Sequence, residues 1–372
     1  MIPVTRCYLP PLADYLSQLK PVWESGQITN NGVICRQLRE LLKAHFGLPH
    51  LELVANGTLA LQLAIKALGL KGEIITTPYS YVATTHAILW EGCDPVFVDI
   101  DEKNFGIDPG LIEAAITERT AAILATHVYG YPCDVKAIQA IAEKYRLRVI
   151  YDAAHAFGVK FMGQSLLDHG DCSALSFHAT KLFHTAEGGA IVCRDETIAR
   201  RISLMKKFGH LGEDEYLDIG INAKMSELHA AMGLAVWPQV GEIIAARREV
   251  SSWYDEGLAG SELRRPGEIA GLEYNYAYYP VVFPDHGSMM RARQALMERD
   301  IFPRRYFSPA LNTLPFLKPE RQRPCPVAES IAARVLSLPL FPGLDKNTVE
   351  GICGLLGARQ KTVPFNGPFV GI

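Results

Sequence analysis

The sequence predicts an α/β protein: a large domain with a mostly parallel seven-stranded sheet flanked by helices, followed by a smaller C-terminal α+β domain. Three observations carry this prediction. Short apolar runs alternate with helix-period stretches from about residue 50 to 195, the pattern of parallel strands covered by helices. A long amphipathic stretch from Met225 to Glu249 then leads away from them. Beyond it, Pro266, Gly267, Gly271 and the aromatic run Tyr274 to Tyr279 open material of a different texture.

Taken in order, the strands fall at Leu51–Val54, Glu73–Thr76, Pro95–Val98, Ala121–Ala125, Val149–Tyr151, Ala174–Phe177 and Ala190–Cys193. Seven exceed what a minimal doubly wound unit requires, so one large domain is expected. Between them, Thr58–Leu68 places Leu61, Ile65 and Leu68 on one helical face, and Asp134–Lys144 does the same with Val135, Ile138, Ile141 and Ala142. Ile202 to Glu249 reads as helices interrupted by a polar loop, His210 to Ile219. The smaller domain is expected from about residue 251, with a strand Tyr278–Phe283 and helices Ser288–Arg299 and Val327–Val335. This gives domains of 1–250, including an N-terminal segment, and 251–372. The tail after Lys361, with two prolines and two glycines, is expected to be irregular.

Composition excludes several function classes. Over 372 residues, 37 Lys and Arg oppose 40 Asp and Glu, a net charge of −3, so nothing draws the chain to nucleic acid or an anionic membrane. Anionic ligands need a local site. No apolar run approaches the roughly 18 residues of a membrane span, and the N-terminus lacks the charged and apolar regions of a signal peptide, so a cytoplasmic protein is expected. Eight cysteines are scattered without a CxxC pair or a zinc-like spacing; reduced, buried thiols and no metal are expected. The chain has no GxG triplet, GxxxxGK[ST], HExxH or GxSxG, which disfavours nicotinamide, P-loop, zinc-protease and hydrolase chemistry.

Three small signals remain, each at a strand end, where open α/β sheets bind ligands. Asn56-Gly57-Thr58 leads from a strand into a helix: Gly57 allows close backbone approach, and Thr58 can cap a helix whose free N–H groups favour phosphate. Most such turns bind nothing. Asp152 follows Val149-Ile150-Tyr151 and precedes the small residues Ala153 and Ala154, leaving room for a flat ligand; an Asp capping the next helix fits equally. Ser176-Phe177-His178-Ala179-Thr180-Lys181 sets a lysine among Phe177, Leu182 and Phe183, where desolvation favours the neutral, nucleophilic amine; a snorkelling surface lysine is the plainer alternative. Ser176 can offer its hydroxyl to a phosphate. Together, an amine for a Schiff base, an acid for a pyridinium nitrogen and a phosphate-binding helix end are the parts that hold pyridoxal phosphate.

The order of these motifs resembles the DegT/DnrJ/EryC1/StrS sugar aminotransferases of fold type I. The matching stretches are Asn56-Gly57-Thr58 with the helix after it, ThrProTyrSerTyrValAlaThr at 77–84, HisValTyrGlyTyrPro at 127–132, TyrAspAlaAlaHisAla at 151–156, SerPheHisAlaThrLys at 176–181, GluGlyGlyAla at 187–190 and AsnAlaLysMetSerGluLeuHisAla at 222–230. They cover about residues 25 to 235; the C-terminal third is less diagnostic.

The resemblance implies that Lys181 bonds the cofactor and moves the proton, and that Asp152 pairs with its ring nitrogen. It implies that Gly57, Thr58 and Ser176 hold its phosphate and Tyr81 stacks on its ring. Asn222 would reach the neighbouring subunit's cofactor, so a homodimer with shared active sites is expected. Two positions depart from the family pattern. His155 stands for the usual Gln near the cofactor's 3-hydroxyl, with a charge that varies with pH. Lys224 stands for the usual Arg and lacks its bidentate fork. A dehydratase branch of the family carries His in place of the lysine; Lys181 favours transamination.

The 176–190 segment looks most like the branch acting on dTDP-4-keto-6-deoxyglucose, as do Asn30, Asn31, Arg304, Arg305, Tyr306 and Ser308. Arg304 and Arg305 are diphosphate ligands on this reading and a solvated basic pair on the plain one. The implied reaction moves the amino group of L-glutamate to a nucleotide-linked 4-keto-6-deoxy sugar, in the service of O-antigen or another glycan. Transfer to C3, or a non-catalytic regulatory protein that binds the same cofactor, are the alternatives.

Overall fold

The computed structural model describes residues 1–357; the tail expected to be irregular after Lys361 lies outside the described residues. Two helices precede the sheet, α1 (Leu12–Ser25) and α2 (Val33–Phe46). Neither is among the expected elements, and the local signals are poor. Both lack a side-chain cap from their own N-cap residue, and α1 carries Pro21 inside. The start of α2 is capped instead by Glu227, whose carboxylate accepts from the N–H groups of Gly32 (2.7 Å), Ile34 (2.8 Å) and Cys35 (3.1 Å). A cap supplied from 195 residues away leaves no local trace.

The large sheet is built from β1 (His50–Val54), β2 (Glu73–Thr76), β3 (Asp94–Phe97), β4 (Thr120–Thr126), β5 (Arg148–Asp152), β6 (Cys172–Ser176) and β7 (Gly189–Cys193). All seven expected strands are present, with ends moved by no more than two residues. Their order is β1-β7-β6-β5-β4-β2-β3. β7 runs antiparallel to both of its neighbours and every other pairing is parallel. Helices α3 (Gly57–Ala67), α4 (Ala83–Trp90) and α5 (Val135–Tyr145) connect the strands.

Successive side chains in a strand point to opposite faces, and both faces here are buried. Ile123, Val149, Tyr151 and Leu175 enter one core, while Ala122, Leu124, Ile150 and Ala174 enter the other. This explains why the strands read as continuous apolar runs rather than alternating ones. All eight cysteines are free and seven are buried. No helix among the described residues is long and apolar enough to cross a membrane.

After β7 come α6 (Glu196–Met205), α7 (Glu227–Val236) and α8 (Val240–Gly257). The expected stretch from Met225 to Glu249 is thus broken at Trp237-Pro238-Gln239, because proline cannot continue the backbone ladder. α8 serves two cores: Val240 and Ile243 pack under the sheet, whereas Val250 and Tyr254 join a separate C-terminal cluster. That cluster also holds residues of β8 (Tyr279–Val282), α9 (His286–Met297), β9 (Val335–Leu338) and α11 (Lys346–Leu355).

The helix expected at Val327–Val335 is α10 (Pro326–Arg334), and Val335 begins β9, antiparallel to β8. Val335 to Leu338 is fully buried against β8, and this pairing overrides the helical pattern. α10 is capped from outside as well. Asp99 accepts from the N–H groups of Val327 (2.8 Å) and Ala328 (2.9 Å), tying the C-terminal part of the chain to the loop after β3.

Candidate functional site

Four strands end together at the C-terminal edge of the parallel part of the sheet. Asp152 is the last residue of β5 and pairs in register with Thr126 of β4 and Ala174 of β6. Ser176 ends β6 opposite Gly189, which in turn faces Val54 at the end of β1. The turn after β1 is pressed against this edge. A Cβ on Gly57 would lie 3.0 Å from Ser176 Cβ, and one on Gly189 would lie 2.7 Å from the Asn56 carbonyl carbon. Close backbone approach requires glycine at 189 and leaves little room for a side chain at 57, and Gly57, Thr58 and Ser176 are brought together.

The cap of α3 differs from the one expected. Asn56, in extended backbone, accepts the Leu59 N–H at 2.8 Å, so Thr58 is the second residue of the helix and not its cap. The N–H groups of Gly57 and Thr58 therefore stay at the open helix end, which, with the helix dipole and the Ser176 hydroxyl, suits an oxyanion such as phosphate.

Asp152 is buried, with 5% of its surface exposed. Oδ2 accepts from the Thr84 hydroxyl at 2.7 Å and Oδ1 from the Ala154 N–H at 3.1 Å. Burial raises its pKa above the usual carboxylate value, opposed by those two hydrogen bonds and by the charge of Lys181. Two donors do not saturate a carboxylate, which has about four lone-pair sites. It keeps capacity for a cationic N–H from a ligand.

Lys181 lies in the turn after β6, and its Nζ donates to the Tyr278 hydroxyl at 3.3 Å. His155, Lys181, Ala277 and Tyr278 share the wall of a small cavity. His155 is stacked on Phe307 (centroids 5.4 Å, 11°) and accepts the Tyr129 N–H at Nδ1 (3.1 Å), which puts its own hydrogen on Nε2. Its pKa is pushed well below the ordinary histidine value by desolvation and then by Lys181. The pH-variable charge expected of His155 is therefore replaced by a neutral ring with a fixed donor, because burial excludes the imidazolium.

The remaining predicted residues lie at the rim. Tyr81 precedes α4 and is 59% exposed. Tyr306 faces Tyr278 edge-on at 5.9 Å, and its carbonyl accepts from the Tyr129 hydroxyl. Arg304 is exposed and pairs with Ser337. Arg305 is instead turned onto the end of α10, where it donates to the Ala332 and Ala333 carbonyls (3.1 and 3.3 Å). Asn30 and Asn31 occupy left-handed backbone in the exposed loop before α2. Asn222 is exposed and its amide oxygen accepts from Lys224 Nζ at 2.7 Å, so Lys224 orients it without a guanidinium fork. Arg304, Arg305, Asn30, Asn31 and Asn222 make no hydrogen bond to Lys181 or to the Asp152 carboxylate.

Several residues of the site escaped the sequence reading. Tyr278 sat in the aromatic run without an assigned role. It is held in place by Arg247, buried in α8, which donates to the Tyr276 and Ala277 carbonyls (2.8 and 2.6 Å). Asn275 assists by donating to the His155 and Phe157 carbonyls (2.8 and 2.9 Å). Thr84 and Ser80 belong to a matched motif but carried no assignment. A cleft of about 500 Å³ at the opposite edge of the sheet, bordered by Arg146, Arg148, Asp171 and Arg194, contains none of the predicted residues.

The groups at the sheet edge fit pyridoxal phosphate on their own chemistry. An amine, an unsaturated buried carboxylate and a glycine-walled cradle under an open helix end match its aldehyde, ring nitrogen and phosphate.

Residues 13–356 match the model of the DegT/DnrJ/EryC1/StrS aminotransferase family. The chain is 41% identical to a dTDP-4-amino-4,6-dideoxy-D-glucose transaminase of Shigella dysenteriae, over 94% of this chain and 96% of that one. It is 40% identical to the transaminase of the same name from Escherichia coli, over 95% and 98%. Among solved structures, that of DesI with its TDP-sugar product superposes with a TM-score of 0.90 at 33% identity, covering 95% of this chain and 92% of that one.

Proposed function

The chain belongs to the DegT/DnrJ/EryC1/StrS aminotransferase family, and on that premise we propose that it transfers the amino group of L-glutamate to dTDP-4-keto-6-deoxy-D-glucose, giving dTDP-4-amino-4,6-dideoxy-D-glucose. The observation that carries this reading is the convergence of Lys181, Asp152 and the Gly57–Ser176 cradle on one sheet edge. The two transaminases at 40–41% identity over nearly their full lengths support the choice of sugar.

Pyridoxal phosphate, when bound, supplies an electron sink for charge developing beside the transferred amine. Everything else falls to the chain. Lys181 Nζ would hold the cofactor through its aldehyde, with loss of water, and, once displaced by the donor amine, would take the proton from the donor's α-carbon and deliver one to C4 of the sugar. Asp152 binds the ring nitrogen in its protonated form. The N–H groups of Gly57 and Thr58 and the Ser176 hydroxyl would hold the phosphate, Tyr81 would stack on the ring, and His155 would offer its Nε2–H to the 3-hydroxyl.

Asn222 reaches the cofactor of the other subunit in a cytoplasmic homodimer. The exposed Phe208, Leu211, Tyr216, Leu217, Ile219 and Ile221 beside it support an interface there, since clustered apolar surface marks a contact. Asn30, Asn31, Arg304 and Tyr306 face the sugar nucleotide, with Arg305, next to Arg304 in the chain, anchored on the end of α10. The division between a cofactor domain, 1–250, and a substrate-covering domain, 251–372, falls inside α8.

Incubation with glutamate and dTDP-4-keto-6-deoxy-D-glucose, followed by NMR of the product, tests the proposal. An amine at C4 supports it, transfer only to a dTDP-3-keto-6-deoxyhexose supplied in its place moves the assignment to a 3-aminotransferase, and no amino transfer to either sugar overturns it. Borohydride trapping and peptide mass spectrometry test the covalent link to Lys181 separately.

A further inference from the structure

We propose that Thr126, Ser80 and Thr84 form a one-way chain of buried hydroxyls that ends on Asp152 and holds this carboxylate in its ionised, acceptor-only form. The inference rests on the reading of Asp152 as the partner of the ring nitrogen. The links are Thr126 to Ser80 at 3.1 Å, Ser80 to Thr84 at 2.8 Å and Thr84 to Asp152 at 2.7 Å. The three hydroxyl residues are no more than 2% exposed, so water does not compete for them.

Direction follows from counting hydrogens. A hydroxyl has one hydrogen to donate. Thr84 gives its own to Asp152, so it accepts from Ser80; Ser80 is then committed to Thr84 and accepts from Thr126. The Thr126 link runs in that same sense. A protonated Asp152 donating to Thr84 would displace the Thr84 hydrogen from its acceptor and break the run at its last link. Such chains polarise along their length, so the last donor is stronger than an isolated hydroxyl.

Local structure and sheet register assemble the chain. Ser80 and Thr84 are four residues apart across the start of α4, and Thr126 is paired with Asp152 between β4 and β5. This gives the 77–84 motif a role beyond Tyr81. Among the described residues, Lys181 is the charged group acting on Asp152. His127, whose N–H donates to the Asp152 carbonyl, and His155 both have pKa values lowered by burial.

Ser80, Thr84 and Thr126 are positioning residues, and the titration of Asp152 itself is the readout. The full-length chain with ¹³C-labelled aspartate carboxyls is titrated by NMR without cofactor, with Asp152 assigned from Asp152→Asn. Thr84→Val, which keeps the shape and removes the hydroxyl, raises the Asp152 midpoint by about one to two pH units. Ser80→Ala raises it by less, and Thr84→Ser returns it to the wild-type value. A wild-type midpoint in Thr84→Val overturns the proposal, as does a Thr84→Ser shift as large as that of valine. If Thr84→Val does not fold, Ser80→Ala decides alone, and an unmoved midpoint overturns the proposal. A parallel titration of pyridoxal phosphate binding separates the two readings. Shifted midpoints in a chain that binds no cofactor leave the hydroxyl chain standing and remove the proposed function.

Discussion

Two buried carboxylates, Glu227 at the start of α2 and Asp152 at the end of β5, have opposite relations to their surroundings. Glu227 is completely buried and accepts three backbone N–H groups, two of them on one oxygen. Its partners all belong to the fold, and its work is to close a helix end. Asp152 is nearly as buried but accepts one hydroxyl and one N–H, and burial raises its pKa. The lesson is that burial alone does not mark a functional acid. A buried acid whose acceptor capacity is left open does, because the desolvation cost is then offset only when a ligand arrives.

The largest effect expected is that of Lys181→Ala, the amine facing the unsaturated acid. Turnover falls by more than about a thousandfold in steady-state assays of amino transfer, and the borohydride-trapped adduct disappears. Retained turnover would remove the chemical half of the comparison.

Asp152→Asn comes next, lowering turnover by roughly a hundred- to thousandfold. Its effect on the pH dependence of stability follows from the direction of the pKa shift. The fold raises the Asp152 pKa, so its contribution to stability is full at pH below the unfolded value and is lost as pH rises through the folded one. Asp152→Asn, which does not titrate, removes this pH dependence, which sets in as the pH rises above about 4. Urea unfolding at a series of pH values measures it.

Glu227→Gln tests the acid whose partners all belong to the fold. An amide NH₂ turned toward N–H donors costs about 2–3 kcal/mol in the same unfolding measurements. Per folded molecule, the chemistry at Lys181 is untouched. If the variant instead keeps its stability and loses the chemical step, the contrast between the two acids fails. The smallest effect is that of Asn56→Ala, which removes the cap of α3 at about 1 kcal/mol. It also weakens phosphate binding at that helix end, measured as cofactor dissociation.

Much of the fold was legible because its signals are local. Seven apolar runs between turn residues located the seven strands, and Asp152, Ser176, Lys181 and the Asn56-Gly57-Thr58 turn were singled out as candidates by their places at strand ends. The unforeseen parts lacked a local signal. α1 and α2 have no cap of their own, and β9 reads as the end of a helix until β8 lies beside it. The cap of α3 went to Asn56 instead of Thr58, since either residue type can serve and only the backbone angles decide.

By itself, then, the sequence determined the alternation of strands and helices and the absence of nucleotide-fold fingerprints, and it singled out the candidate amine and acid. These depend on residue type and on neighbours a few positions away. The tertiary structure decided the company those residues keep. It brought Thr84 to Asp152 across 68 residues, Tyr278 to Lys181 across 97 and Glu227 to Gly32 across 195. It also turned Arg305 onto α10 and excluded the charge on His155. Such pairings follow from the order of strands in the sheet and from burial, and neither is a property of any short stretch of chain.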